Sequence, residues 1–99
     1  MPPARSVPSK RVAPKARSTS FDPAIAVAFG KVVRKEREEQ DIAQDAFAVL
    51  ADVDRSYYGK LERGERQPSL ALLMRIAHSL KVPPGELVHR VEKAMKRRR

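Results

Sequence analysis

The sequence contains no cysteine and no tryptophan, and only 5% of its residues are aromatic. Without cysteine, the chain can form neither a disulfide nor a cysteine-ligated zinc site, and nothing points to an oxidising compartment. The hydrophobic residues, 41% of the chain, are mainly Ala, Val and Leu, a composition that favours an all-α fold over a sheet sandwich. Ninety-nine residues are enough for one domain with a modest core.

Long hydrophobic runs are also missing. No stretch approaches the roughly 18 apolar residues of a membrane span, and no secretory signal is present at the N-terminus. We therefore expect a cytoplasmic protein with no membrane partner. Residues 1–20 are rich in Arg and Ser and contain no acid, as in transit peptides, but four prolines would break an amphipathic helix there. We expect a disordered basic tail.

Positive charge is concentrated at the two ends of the chain. The net charge is +9, yet residues 21–92 carry eleven basic and twelve acidic side chains and are close to neutral. Residues 1–20 and residues 93–99 each contribute five basic side chains and no acid. The tails could add salt-sensitive contacts to phosphates, or they could only keep the protein soluble.

Apolar spacing and turn residues predict five helices in a domain of residues 21–95, followed by a basic tail of residues 96–99. The first helix begins near Pro23 and ends at Glu39, the second covers residues 44–51, and the third covers residues 55–63. The residues expected to begin helices are Ser20 or Asp22, Asp54, Ser69, Pro83 and Pro84, and those expected to end the third helix are Gly64 and Pro68. The expected apolar positions include Ile25, Phe29, Val32, Val33, Phe47, Ala48, Ala51, Leu70, Leu73, Ile76, Ala77 and Leu80.

Two short helices joined by a tight turn at Asp52 and Val53 have the geometry of a helix-turn-helix. The segments 43–48 (AQDAFA), 53–57 (VDRSY) and 60–70 (KLERGERQPSL) resemble the phage repressor and Cro (xenobiotic response element) family. The resemblance extends from about Phe29 to Leu87. It implies a five-helix lambda-repressor-like domain that binds double-stranded DNA and regulates transcription, with the third helix in a major groove.

The resemblance also implies roles for individual residues. Arg55, Ser56 and Lys60 would meet base edges, and Arg or Lys suits guanine in particular. Phosphate contacts would come from Gln44, Tyr57, Arg63 and Arg66, although Tyr57 could be an ordinary exposed tyrosine and the two arginines a solvated face.

Other residues would support the fold. The family pairs an arginine late in the first helix with a glutamate of the third, which are Arg37 and Glu62 here. Tyr58 stands where the family usually has Ile or Val, so its ring should be buried while its hydroxyl finds a partner. Gly59 departs from the usual Ser, and we favour the interpretation that it is tolerated. Apolar residues of the fifth helix should form a two-fold dimer interface through Leu87, Val88, Val91 and Met95.

No enzyme, cofactor or metal site is apparent, since His78 and His89 lie eleven positions apart and no glycine-rich phosphate loop is present. Two other uses of the domain stay open. One is an antitoxin or restriction-modification controller that combines DNA binding with a protein partner. The other is a pure protein-interaction module that docks through its fifth helix.

Overall fold

A computed structural model describes residues 20–97, and the regular secondary structure of this part of the chain is all helix. Residues 1–19 and 98–99, which include nearly all of the predicted disordered tail and half of the predicted C-terminal tail, lie outside the described residues. None of the described helices is both long and apolar enough to cross a membrane. The predicted all-α, five-helix fold is confirmed. Its helices are α1 (Pro23–Glu39), α2 (Gln44–Leu50), α3 (Arg55–Glu62), α4 (Leu70–Leu80) and α5 (Pro84–Arg97).

Helix α1 begins at a capped proline. The Asp22 carboxylate accepts hydrogen bonds from the backbone N–H groups of Ala24 at 3.0 Å and Ile25 at 3.4 Å. The expectation that Ile25 faces the core is wrong, because its side chain is 38% exposed. The first turn of α1 extends past the edge of the core, and Ala26 is the first residue of the helix to be buried.

The turns on either side of α3 have the backbone conformations that their residues predict. Asp52 adopts a left-handed φ of 60° between α2 and α3. The Asp54 carboxylate then caps α3 by accepting from the N–H of Tyr57 at 3.0 Å. At the other end, Gly64 has a φ of 78°, and a Cβ there would lie 2.9 Å from Cγ2 of Val27. The helix-turn-helix is therefore bounded by two well-defined stops.

A single core joins the five helices. The rings of Phe47 and Tyr58 pack with their centroids 5.3 Å apart and their planes tilted by 48°. Leu70 was expected in the core, but it is 72% exposed. It is the first residue of α4 and precedes the part of the helix that packs on the core. The other fully buried large side chains are Phe29, Leu61, Ile76, Leu80, Leu87 and Val33.

Helix α5 packs against α1 and completes the core. Leu87 is fully buried and Val91 is only 7% exposed, so both of these predicted interface residues lie in the core of the single chain and leave little surface for a dimer contact. Of the four predicted interface residues, Val88 is 48% exposed and Met95 is half-buried. The apolar surface that α5 leaves uncovered is therefore smaller than the sequence indicated.

Gly30 allows α1 and α3 to approach each other closely. A Cβ at Gly30 would lie 2.5 Å from the carbonyl oxygen of Glu62 and 2.6 Å from that of Leu61. Both atoms belong to the backbone of α3, so neither can move without displacing the helix. Gly85, near the start of α5, has no such neighbour within 4 Å.

The two glycines should therefore respond in opposite ways to alanine. Gly30→Ala should lower the free energy of unfolding by about 3 kcal/mol through steric overlap. Gly85→Ala should raise it by up to about 1 kcal/mol, because alanine favours the helix. Urea denaturation of both variants gives the comparison. A stable Gly30→Ala protein would show that the α1–α3 contact is looser than described.

Candidate nucleic-acid interface

Helix α3 has a buried face and an exposed polar face. Tyr58, Leu61 and Glu62 point into the domain, whereas Arg55 and Ser56 are exposed. Helical periodicity places Lys60 one turn after Ser56 and brings Arg63, the C-terminal cap residue, next to the same face. Helix α3 therefore brings together the three residues predicted to meet base edges and one of those predicted to contact phosphate.

Gln44 joins this face from the first position of α2. A Cβ on Gly59 would lie 3.2 Å from Nη1 of Arg63 and 3.7 Å from Oε1 of Gln44. The bare Cα of Gly59 thus gives room for the end of the Arg63 side chain, whereas the distance to Gln44 is an ordinary van der Waals contact that a Cβ would also allow. The sequence favoured tolerance of Gly59, and the close approach concerns only the flexible Arg63 side chain.

Two cations of the face are paired with exposed carboxylates. Arg55 Nη1 lies 3.4 Å from Oδ2 of Asp45, and Arg63 Nε lies 2.8 Å from Oε2 of Glu65. The hydrogen bond from Arg63 lowers the pKa of Glu65, and the same bond raises the pKa of Arg63. Exposed pairs of this kind contribute little to stability. Both guanidinium groups can therefore exchange a carboxylate for another acceptor.

The remaining predicted contacts lie at the edges of the face. Arg66 is exposed in the loop after α3, where Nη1 donates to the carbonyl oxygen of Glu65 at 3.1 Å. Tyr57 is half-buried, and its ring packs against the hydrophobic core. Tyr57 is thus neither a core residue like Tyr58 nor fully exposed.

Behind the face lies a buried ion pair. Arg37 donates from Nε to Oε2 of Glu62 at 2.7 Å and from Nη2 to Oε1 at 2.9 Å, a bidentate arrangement. Both residues are only 7% exposed. Arg37 also donates from Nη1 to the carbonyl oxygen of Ile42 at 2.7 Å, which fixes the segment before α2.

Two further donors complete the coordination of the Glu62 carboxylate. The hydroxyl of Tyr58 donates to Oε2, and Nε2 of Gln44 donates to Oε1 at 2.9 Å. The sequence predicted neither bond. The spacing of four positions between Tyr58 and Glu62 on one helix was a signal for the first, whereas the second depends on how α2 packs against α3.

This network fixes the protonation of its members. Burial alone would raise the pKa of Glu62, but the hydrogen bonds from Arg37, Tyr58 and Gln44 outweigh it, and the pKa is lowered. Burial, together with the hydrogen bond to Glu62, raises the pKa of the Tyr58 hydroxyl. Glu62 is therefore a charged acceptor surrounded by protonated donors at neutral pH.

The exposed face can bind an extended anion. It combines guanidinium, ammonium, hydroxyl and amide donors on one capped helix and its neighbour. Within residues 20–97, no group of three or more His, Cys, Asp or Glu residues could hold a metal ion.

A family model described as helix-turn-helix matches residues 33–87, more than half of the chain. The chain belongs to the helix-turn-helix family. It is a DNA-binding transcriptional regulator of the repressor and Cro type, as the sequence predicted.

Individual relatives cover most of the described domain. Control protein C.MunI from a Mycoplasma species is 39% identical over 70 residues, which are 70% of this chain and 95% of C.MunI. The structure of the restriction-modification controller protein C.AhdI from Aeromonas hydrophila is also 39% identical, with a TM-score of 0.62, and the match covers 65% of this chain and 97% of C.AhdI. The clp gene regulator ClgR from Corynebacterium glutamicum shares the fold, with a TM-score of 0.71 at 23% identity over 75% of this chain and 79% of ClgR.

Removing the Tyr58 hydroxyl tests the buried network. Tyr58→Phe should lower the free energy of unfolding by about 2 kcal/mol at pH 7, since a hydrogen bond to a charged group is lost. Because the pKa of Glu62 is lowered in the folded protein, its charged carboxylate stabilises the fold at pH values above 4.5, the ordinary pKa of this group. This stabilisation is lost as the pH falls through the lowered pKa. The difference between the two proteins should therefore shrink below pH 4.5, as the pH falls through the lowered pKa of Glu62.

The matched control is Tyr57→Phe, in which the hydroxyl is lost from a half-buried ring outside the network. This variant should unfold like the unaltered protein at every pH. Urea denaturation between pH 3 and pH 7 gives the comparison. A deficit for Tyr58→Phe that stays the same at every pH at which both proteins are folded, including the pH at which Glu62 is protonated, would contradict the assigned hydrogen bond to charged Glu62.

Proposed function

We propose that the protein is a sequence-specific regulator that inserts α3 into the major groove of a pseudo-palindromic operator and represses transcription there. The observation that carries the proposal is the exposed face of α3. Arg55, Ser56 and Lys60 lie together on a helix whose opposite side is fixed by the Glu62 network. A helix held in a fixed orientation, with the short side chain of Ser56 and the long side chains of Arg55 and Lys60 on its exposed side, suits direct reading of base edges.

The proposed contacts divide into two kinds. Arg55 and Lys60 would bind guanine, and Ser56 would donate to or accept from a neighbouring base. Gln44, Tyr57, Arg63 and Arg66 would bind phosphates. Gln44 is well placed because its Nε2 donates one N–H to Glu62 at 2.9 Å, which orients the amide and leaves the second N–H of Nε2 for a phosphate. Phosphate contacts set the position of α3 on the duplex, and the base contacts then select the sequence.

Among the alternatives, we favour a restriction-modification controller. Two relatives at 39% identity are named a control protein and a restriction-modification controller protein, and this chain covers nearly their whole length. We propose that this protein likewise regulates the genes of a restriction-modification system. It would act by binding rather than by catalysis, and in the cytoplasm, where bacterial-type operators lie.

We further propose a two-fold dimer that uses the uncovered part of α5. Val88 is 48% exposed, and Met95 lies seven positions further along, about two turns of the same helix. A symmetric pair of these helices would bury both residues twice. The two copies of α3 would then reach half-sites spaced roughly 10 base pairs apart, one turn of DNA.

Arg55→Ala tests the assigned reading of bases. In a selection from random duplex DNA, the unaltered protein should enrich an inverted repeat with a conserved G in each half-site. Arg55→Ala should bind that repeat about 5- to 100-fold more weakly and lose the preference for G, because a bidentate contact is removed.

The matched control for this test is Arg34→Ala on α1. The Arg34 side chain is 62% exposed and forms one ion pair with Glu38, whereas Arg55 is 65% exposed and forms one with Asp45. The two variants thus remove the same charge from similar surroundings. Equal losses of affinity would show that charge alone matters and would exclude α3 as the reading helix.

Val88→Lys tests the dimer. Placing a charge at the centre of the proposed interface should shift the protein toward monomers in sedimentation equilibrium, with at least a tenfold higher dissociation constant for dimerisation. Val49→Lys on α2 is the control, since Val49 is 72% exposed and receives the same charge. A dimer that dissociates with Val49→Lys and not with Val88→Lys would place the interface on α2 instead.

A further inference from the structure

A carboxylate lies among the cations that the proposed DNA-binding face offers to phosphates. Oε2 of Glu65 accepts from Nε of Arg63 at 2.8 Å, and Oε1 accepts from Nη2 at 3.4 Å. The hydrogen bond from Arg63 lowers the pKa of Glu65, and the positive charges of Lys60 and Arg66 lower it further. Glu65 is therefore negatively charged at neutral pH and is surrounded by three cations of the face.

The backbone fixes the place of Glu65 next to α3. Gly64 turns the chain at the end of the helix with a φ of 78°. The N–H of Glu65 then donates to the carbonyl oxygen of Lys60 at 2.9 Å, which closes the last turn. The position of Glu65 thus follows from the helix stop and does not depend on its ion pair.

A carboxylate at this place opposes the binding of DNA. Phosphates repel it, and Arg63 must leave it before the guanidinium group can bind a phosphate. The pair contributes little to folding, because the side chains of Arg63 and Glu65 are 56% and 50% exposed. The pair between Arg55 and Asp45 is a single contact at 3.4 Å, so Glu65 holds its arginine more closely than Asp45 does.

We propose that Glu65 limits the affinity of the protein for DNA by holding Arg63 in the free protein. It competes with phosphate for the same guanidinium group and acts as an internal counterion. The proposal rests on the function proposed above, because it requires Arg63 to contact a phosphate when α3 lies in the major groove. A phosphate contact carries no base sequence, so the effect should be the same for an operator and for unrelated duplex DNA.

Glu65→Gln tests the proposal by removing the charge while nearly keeping the size of the side chain. The full-length variant should bind the selected duplex about three- to tenfold more tightly at 100 mM salt, and an unrelated duplex by the same factor. Its plot of log affinity against log salt should be steeper by about 0.5–0.9, since no unpaired carboxylate remains to retain a cation in the complex. Fluorescence anisotropy between 50 and 300 mM salt measures both quantities.

The matched control is Glu39→Gln on α1. Glu39 pairs with Lys35 at 2.9 Å, its side chain is 57% exposed, and the substitution changes the net charge of the protein by the same amount. This variant should bind both duplexes less than twofold more tightly than the unaltered protein. Equal gains from the two substitutions would mean that only net charge matters and would overturn the proposal, as would an unchanged affinity of Glu65→Gln.

An Arg63→Ala background separates competition from simple repulsion. Glu65 has no guanidinium group of Arg63 to hold there, so adding Glu65→Gln should raise affinity less than twofold. The same gain in both backgrounds would show that Glu65 only repels phosphates, which would overturn the assigned competition. Urea denaturation at pH 7 checks that each variant is as stable as the unaltered protein.

The failure of this proposal differs from a failure of the function proposed for α3. If Arg55→Ala and Arg63→Ala bind the selected duplex as tightly as the unaltered protein, α3 does not face the DNA and the proposed function is wrong. If both substitutions weaken binding and Glu65→Gln does not strengthen it, only the role of Glu65 is wrong.

Discussion

The buried carboxylate of Glu62 is the group on which the orientation of the proposed DNA-binding face depends. It receives hydrogen bonds from Arg37 of α1, Gln44 of α2 and Tyr58 of α3, so one group fixes three helices relative to one another. A buried ion pair often contributes little net stability, because desolvating the charges offsets their attraction. Its consequence here is orientation: with the carboxylate fully coordinated, α3 cannot rotate about its axis without losing several charged hydrogen bonds.

That fixed orientation explains how a nearly neutral domain can bind DNA. The cations on α3 and at its C-terminal cap are few, and two of them, Arg55 and Arg63, are paired with carboxylates in the free protein. Affinity must therefore come from donors placed at defined positions rather than from a broad positive surface. The basic residues that give the chain its positive net charge are concentrated at its two ends, outside this nearly neutral domain.

The sequence predicted local features well because their causes are local. Asp54 marks the beginning of α3 and Gly64 follows its end, as expected, since capping and a positive φ depend on a few neighbouring residues. Periodicity was less reliable at the ends of helices. It groups residues on one face but does not say how far the core extends, which is why Leu70 is exposed and Leu87 is buried. Within the site, the contact between Gln44 and Glu62 joins residues 18 positions apart, and the sequence held no pattern for it.

The most direct measurement of the central claim is an NMR titration of the labelled full-length protein with its selected duplex. We expect the largest amide shifts at residues 44, 55–60 and 63–66, while the Tyr58 and Glu62 side-chain signals keep their buried, hydrogen-bonded character because the network behind α3 persists in the complex. Shifts concentrated in α4 and α5, with α3 unchanged, would contradict the claim that α3 reads the DNA.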